Sequence, residues 1–197
     1  MTDIAFLLVT WFTMFTVEPK VPYKMPSVLK ITPMVAYNEL YNGPNKLYTL
    51  SDGELSALSL KQKAKLVGIS KKSFKMMASV VDHESGPKMQ DKVMVAAVII
   101  NRVHCKQFRN TVQKVINEPG QFYDLKKDHS GSYKDKKAQL AVLIAYREIA
   151  RGNIPHNVLY FNGISFYTKN RSRYKKYKHY NNYFIKDTGC KCAWCKS

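Results

Sequence analysis

The pattern of apolar and polar positions predicts helices from residue 51 onward. Ser51-Asp-Gly-Glu54 has the spacing of a capping box, and leucines follow it as far as Leu66. Gly68 predicts the end of this first helix, and Ser70 predicts the start of a second. The second helix ends near residues 84–87, and its apolar face consists of Phe74, Met77, Val80 and Val81.

A third segment, Val93–Val103, is almost wholly apolar and predicts the buried central helix of the domain. A buried strand is the alternative, since Val and Ile are abundant there, but the length of the segment favours a helix. Asn110 and Thr111 are caps for a short helix that reaches about Asn117. A long helix with an alanine-rich inner face follows and ends at Gly152.

Two short strands are predicted after these helices, at Val158–Phe161 and Tyr183–Ile185. The predicted fold class is therefore mainly α (α+β), with one helical domain over residues 51–187 and a small β element. Residues 18–50 predict a linker, because five prolines interrupt them. Residues 188–197 form a cysteine-rich tail.

The first 17 residues carry an apolar run, Ile4–Val17. It is shorter than the about 20 residues that span a membrane, but it fits the core of a signal peptide or an anchor. Asp3 stands where a signal peptide has a basic residue, so an amphipathic or buried terminal element is the alternative. We expect an extracytoplasmic or membrane-anchored protein that contacts the membrane through this segment.

The chain is strongly basic, with 32 Lys and Arg against 14 Asp and Glu, for a formal net charge of +18. Such a surface attracts polyanions, but charge does not choose among nucleic acid, anionic lipid and anionic wall polymers. Residues 169–186 interleave cations with tyrosines, a pattern that suits single-stranded nucleic acid as well as a polyanionic wall.

Three of the four cysteines lie in the last eight residues, as Cys190, Cys192 and Cys195. A zinc site usually takes its four ligands from two separated pairs, whereas one cluster is present here and His179 is a distant fourth ligand. We therefore expect neither a metal nor a cofactor. A metal site, a redox-sensitive tail and a terminal disulfide stay open as alternatives.

The residues with the clearest chemistry are Asp82-His83-Glu84-Ser85-Gly86-Pro87. A glutamate at the end of a helix, half sheltered by apolar neighbours, can act as a general acid on a glycosidic oxygen. Taken by itself this signal is weak, because a glutamate at a helix end is usually solvated. His83 is interpreted as a surface residue and Ser85 as a cap or loop residue.

An ordered series of motifs follows Glu84: VMVAAVIINRV, then Phe108-Arg-Asn-Thr-Val112, Gln121-Phe122 and Val158–Asn162. From about residue 79 to 184 the chain resembles the SleB-type cell wall hydrolases, known from spore-cortex lysis and from phage lysins. The resemblance implies a lysozyme-like helical fold that cleaves the glycan strand of peptidoglycan, with Glu84 at the position of the catalytic glutamate.

Two departures from the family pattern concern the loop after Glu84. It is about one residue shorter than the family form, and the second acidic residue of the motif is missing. Glu84-Ser85 is instead similar to the Glu-Ser pair of soluble lytic transglycosylases.

Hydrolysis by the common route needs two carboxylates, and the candidates for the second are Asp124 and Glu118. A lytic transglycosylase needs one, because the C6 hydroxyl of muramic acid is the nucleophile. We therefore favour a lytic transglycosylase that forms 1,6-anhydromuramic ends, with muramidase-type hydrolysis as the alternative.

Four residues are predicted to hold the sugar chain: Gln121 and Asn162 by hydrogen bonds, Phe122 by ring stacking, and Tyr160 by both. Core packing is the alternative for Phe122 and Tyr160. Asn101 is a further candidate for substrate contact, or a support of the Glu84 loop, because a buried amide needs a partner.

The predicted partners are peptidoglycan and anionic wall polymers, and no nucleic acid is expected. A non-catalytic basic protein that binds nucleic acid or wall polyanions is the rival interpretation.

Overall fold

The structure, a computed structural model, describes residues 46–122, 132–162 and 172–197. The predicted N-terminal segment 1–17 and most of the predicted linker lie outside these residues, as does Asp124. In the part of the chain that is described, no helix has the length and apolar character needed to cross a membrane.

The helices follow one another in short steps along the chain. They are α1 (Lys46–Thr49), α2 (Asp52–Ala57), α3 (Leu60–Leu66), α4 (Lys71–Glu84), α5 (Met89–His104), α6 (Val112–Ile116), a 3-10 turn at Ser132–Lys134, α7 (Lys136–Ala150) and α8 (Ala193–Lys196). The strands are β1 (Val158–Asn162), β2 (Tyr174–His179) and β3 (Tyr183–Asp187).

Helix α5 is the centre of the core, and the prediction of a buried central helix is confirmed. Its residues from Val95 to Ile99 are fully buried, and the helix packs against α4, α7 and β1. The adjacent small side chains of Ala96 and Ala97 let neighbouring elements approach closely. A helix that is apolar on all sides is stable only when other elements surround it, as they do here.

The capping residues explain where the first helices begin. Ser51 forms the predicted capping box with Glu54, and Ser70 caps α4. The predicted single helix from residue 51 to Gly68 is wrong, because Leu58 has extended backbone angles and separates α2 from α3. A second capping box, Ser59 with Gln62, starts α3. Its spacing is present in the sequence but was not used in the prediction.

The three strands form one antiparallel sheet in the order β1-β3-β2. Tyr160 pairs with Ile185 and Phe161 with Phe184, so β3 is the central strand and its apolar side chains are buried. Strand β2 was not predicted, because its sequence YKKYKH is dominated by lysines. It is an edge strand, where exposed lysines are common. The mainly α fold class with a small β element is confirmed.

Helices also occur at both ends of the predicted domain. Helix α1 lies inside the stretch predicted as a linker, and its Leu47 is buried in the core. Helix α8 lies in the cysteine-rich tail. The domain boundaries themselves stay predictions.

Candidate active site

Glu84 is the last residue of α4, and its side chain is partly exposed. The helix ends there because Ser85 takes up extended backbone angles, while its N–H and its hydroxyl both donate to the carbonyl of Val81. The carbonyl of Glu84 accepts a hydrogen bond of 2.9 Å from Nδ2 of Asn182. The end of α4 is therefore tied to the turn between β2 and β3.

A buried carboxylate strengthens this connection. Asp91 lies in the first turn of α5, is 0% exposed, and accepts hydrogen bonds from four N–H donors. Oδ2 accepts from the N–H of Gly86 at 2.7 Å and from Nδ2 of Asn182 at 3.2 Å. Oδ1 accepts from the N–H of Asn181 at 3.2 Å and of Asn182 at 3.1 Å. We call these four residues, Gly86, Asp91, Asn181 and Asn182, the Asp91 clasp.

The clasp fixes the loop that follows Glu84. Its position at the N-terminal turn of α5 suits a negative charge, because the helix dipole is positive there. Gly86 is also in very close contact with the turn: a Cβ atom added to it would lie 2.4 Å from Cγ of Asn181. Any larger residue at this position would displace the side chain of Asn181.

A second polar group lies beside the clasp. Lys92 is 7% exposed in its side chain and bridges Asp82, at 2.9 Å, and Asp135, at 3.5 Å. Burial by itself would raise the pKa of Asp135. Hydrogen bonds with Asp82 and with the N–H of Lys137, together with the Lys92 cation, outweigh burial and lower the pKa below its ordinary value. Asp135 also caps α7, so both carboxylates hold helices together.

Phe122 and Tyr160 surround a buried cation that the sequence analysis did not single out. The guanidinium of Arg102 lies 4.9 Å from the ring centre of Phe108, 5.1 Å from that of Phe122 and 5.3 Å from that of Tyr160. Its Nε donates to the carbonyl of Leu159 at 2.7 Å. Burial lowers the pKa of Arg102 to about 10, which leaves it charged at neutral pH. We call Arg102 and these three rings the Arg102 cluster.

Both predicted aromatic residues are half-buried. The ring of Phe122 also lies 6.0 Å from that of Phe161, and the ring of Tyr160 lies 5.3 Å from that of Tyr174. Burial raises the pKa of Tyr160, so its hydroxyl stays protonated. These contacts show that the rings pack against one another and against Arg102, while both residues stay partly exposed.

A family model described as "Cell Wall Hydrolase" matches residues 86–189, which is more than half of the chain. The chain belongs to this family. No curated protein and no solved structure matches it.

The matched segment of this cell wall hydrolase contains both the Asp91 clasp and the Arg102 cluster, and it begins two residues after Glu84. Family membership points to the cell wall as the place of action and to peptidoglycan as the substrate.

Asn101, predicted to contact the substrate or to support the Glu84 loop, is engaged inside the fold. The side chain is 0% exposed. Its Nδ2 donates to the carbonyls of Pro155 and Val158, both at 3.1 Å, and its Oδ1 accepts from Nε1 of Trp194 at 3.3 Å. Asn101 therefore joins α5 to the start of β1 and to the tail, and does not reach the Glu84 loop through these bonds.

The remaining predicted residues lie at the surface or at the end of the sheet. Gln121 is exposed in the turn after α6. The backbone of Asn162 pairs with Tyr183 at the end of β1. Because Tyr183 directly follows Asn182, the end of β1 and the Asp91 clasp lie at the same end of the sheet.

The metal-ligand expectation also changes. His179 stacks on Tyr183, with ring centres 3.9 Å apart, and does not belong to the group of possible metal ligands that the described cysteines form. Cys105 instead joins those three cysteines. Sequence order gave no signal for this, since Cys105 is 85 residues from Cys190.

Proposed function

We propose that this cell wall hydrolase cleaves the glycan strand of peptidoglycan and that Glu84 is its general acid and base. The observation that carries the proposal is the Asp91 clasp, which holds Gly86, two residues after Glu84, against the turn between β2 and β3. A catalytic carboxylate must keep its place relative to the sugar to within a fraction of an ångström, and a rigid support of this kind provides it.

The favoured reaction is that of a lytic transglycosylase of the SleB type. The Glu84 carboxyl donates its proton to the glycosidic oxygen as the bond to C1 of the muramic acid breaks. The resulting carboxylate accepts the proton of the C6 hydroxyl as that oxygen bonds to C1. The product is a 1,6-anhydromuramic end, no water is consumed, and Glu84 is again protonated.

The carboxylates near Glu84 already take part in hydrogen bonds or ion pairs within the fold, which supports a mechanism that uses Glu84 as its one carboxylate. Asp91 is enclosed in the clasp, while Asp82 and Asp135 share Lys92. Glu118, a candidate for the second carboxylate, has a buried Oε2, and its charge acts on the buried Arg102. Hydrolysis with Asp124 as the second carboxylate is the alternative, because water would then need activation.

The Arg102 cluster supports a role in sugar binding. Phe122 and Tyr160 are held by the cation between them, and their accessible parts offer apolar surfaces to sugar rings. Gln121 and Asn162 would supply hydrogen bonds to N-acetyl and hydroxyl groups.

The basic surface supports binding to anionic wall polymers outside the cytoplasm. Strand β2 presents Lys175, Lys176 and Lys178 to solvent on an edge of the sheet. A non-catalytic protein that binds nucleic acid through the same cations is the rival, and retention of labelled single-stranded DNA without peptidoglycan digestion would favour it.

Glu84→Gln tests the proposal directly. With purified peptidoglycan as substrate, muropeptides are separated and identified by mass spectrometry. We expect anhydro ends from the wild-type chain and a loss of about 100-fold or more in the variant, the usual contribution of a general acid. Reducing ends would favour hydrolysis.

Glu54→Gln is the matched control. Glu54 is exposed and serves in a capping box, a position that glutamine fills equally well. Equal activity of wild type and Glu84→Gln would refute the assignment of Glu84.

A further inference from the structure

All four cysteines of the chain come together at one place. Cys105 follows the end of α5, Cys190 follows β3, Cys192 precedes α8 and Cys195 lies within it. Their sulfur atoms all lie within 4.8 Å of one another. We call these four residues the cysteine cluster. Cys105 and Cys190 are buried, and the other two are partly buried.

The distances within the cysteine cluster fit a single bound cation. Three sulfur pairs are 3.3 to 3.4 Å apart: Cys105–Cys190, Cys190–Cys192 and Cys192–Cys105. Four thiolates around a zinc ion at about 2.3 Å would have sulfur atoms about 3.8 Å apart. All four cysteines are free, so no disulfide explains the gathering. The space between them is too small for an iron–sulfur cluster and suits one ion.

Apart from the cysteines, the described contacts of the tail are mainly those of Trp194, which also donates to Asn101, and the hydrogen bond between Ser197 and His156. Helix α8 has four residues and none of them is buried. A helix of this length is not stable by itself in water. Trp194 packs between His104 and His156, with ring centres 4.4 and 4.0 Å away, and thiol hydrogen bonds are weak. These contacts stabilise the tail only modestly, compared with the conformational entropy that is lost when the residues at the end of the chain are ordered.

We propose that the cysteine cluster is a structural zinc site. One Zn²⁺ replaces four thiol protons, which are released to solvent, and forms a tetrathiolate with a net charge of −2. The four cysteines complete the tetrahedron and leave no open position for water, so the ion stabilises the fold and has no part in the cleavage reaction. This replaces the expectation of no metal, which rested on the C-terminal cysteines without Cys105.

The position of the site gives it a defined structural role. The cluster packs on Leu159, with Phe108 and Tyr160 at its edge. A zinc ion there would link the end of α5, which carries Arg102, to the tail that follows β3. It would thereby brace the strand that carries the predicted sugar-binding Tyr160.

Metal analysis of the full-length chain tests the proposal. The protein is purified under reducing conditions without added chelator, and elemental analysis and native mass spectrometry give the metal content. We expect one zinc per chain and, after replacement by Co²⁺, the visible and charge-transfer absorption of a tetrahedral thiolate site. We also expect the melting temperature to fall when zinc is removed with a thiol-blocking mercurial and a chelator.

Variants locate the ion. Cys105→Ser should reduce the bound zinc at least tenfold, because it removes the ligand that α5 contributes. His179→Ala is the matched control and should keep one zinc per chain, since this histidine lies on β2 and stacks on Tyr183.

Three results would overturn the proposal. They are less than one zinc per ten chains in the wild type, a mass lowered by two or four hydrogens that reveals disulfides in place of metal, and iron in the zinc position. All three can be read from the wild-type chain, so they do not depend on the folding of any variant. None of them bears on Glu84, whose test is the release of muropeptides.

Discussion

Replacing Asp91 with asparagine tests the clasp that supports the proposed catalytic helix end. Each carboxylate oxygen of Asp91 accepts two hydrogen bonds, and every partner is an N–H donor. The side chain of asparagine has nearly the same shape but offers one oxygen and one NH₂ group. In either orientation of the amide, two of the four donors therefore face another donor.

The cost can be worked out from this geometry. A buried donor left without an acceptor costs about 1–3 kcal/mol, so two of them cost about 2–6 kcal/mol in the free energy of unfolding. For a chain of this size, each kcal/mol lowers the melting temperature by roughly 2–4 °C, which gives a fall of roughly 4–24 °C. Since domains are stable by about 5–15 kcal/mol, the variant should still fold at low temperature.

The assay combines urea unfolding with muropeptide release measured well below the melting temperature. Asp52→Asn is the control, because Asp52 is 55% exposed and its partner Arg147 also pairs with Glu148 and donates to the carbonyl of Leu50. It loses the same charge but should change the stability by less than about 1 kcal/mol. We expect Asp91→Asn to lose activity in its folded state as well, since the loop after Glu84 is released. If both variants lose equally little stability, the reasoning about the clasp is refuted.

Three further variants follow from the same contacts. Gly86→Ala should lower the free energy of unfolding by about 1–3 kcal/mol and slow the release of muropeptides, because the new methyl group would lie 2.4 Å from Cγ of Asn181. In the control, Gly53→Ala, the methyl group would lie 3.9 Å from its nearest atom, so urea unfolding should show a neutral or stabilising effect. Arg102→Met should lower stability by about 2–4 kcal/mol and raise KM more than it lowers kcat, and an unchanged KM would argue against aromatic sugar binding. For Asp135, the lowered pKa means that its carboxylate stabilises the fold above about pH 4 and that this contribution is lost as the pH falls through the folded-state pKa. The stability difference between wild type and Asp135→Asn should therefore shrink as the pH falls below about 4, and a constant difference would contradict the assigned cause.

Local signals in the sequence were sufficient for most of the helices. Ser51 and Ser70 cap the helices they were predicted to cap, Thr111 starts the short α6, and Gly152 follows the end of α7 with a positive φ of 73°. These features depend on residues within a few positions of one another, which the sequence displays directly. The buried α5 was predictable for a similar reason, because a segment that is apolar on all sides has to be covered.

The pairing of distant residues was decided by the tertiary structure. In the sequence, Asp91 cannot be told from an ordinary surface carboxylate. Some of its four hydrogen-bond donors come from a turn 90 residues further along the chain. Arg102 lies near the end of the apolar helix α5, and three aromatic rings from separate segments enclose it.

The cysteines show the same limit most clearly. The sequence by itself determined that three of them lie close together, because their spacing is local. Only folding brought Cys105 to them, since the end of α5 and the chain after β3 meet beside Leu159 of β1. Local spacing fixes which residues share a helix or a turn, whereas contacts between distant segments depend on how the whole core packs.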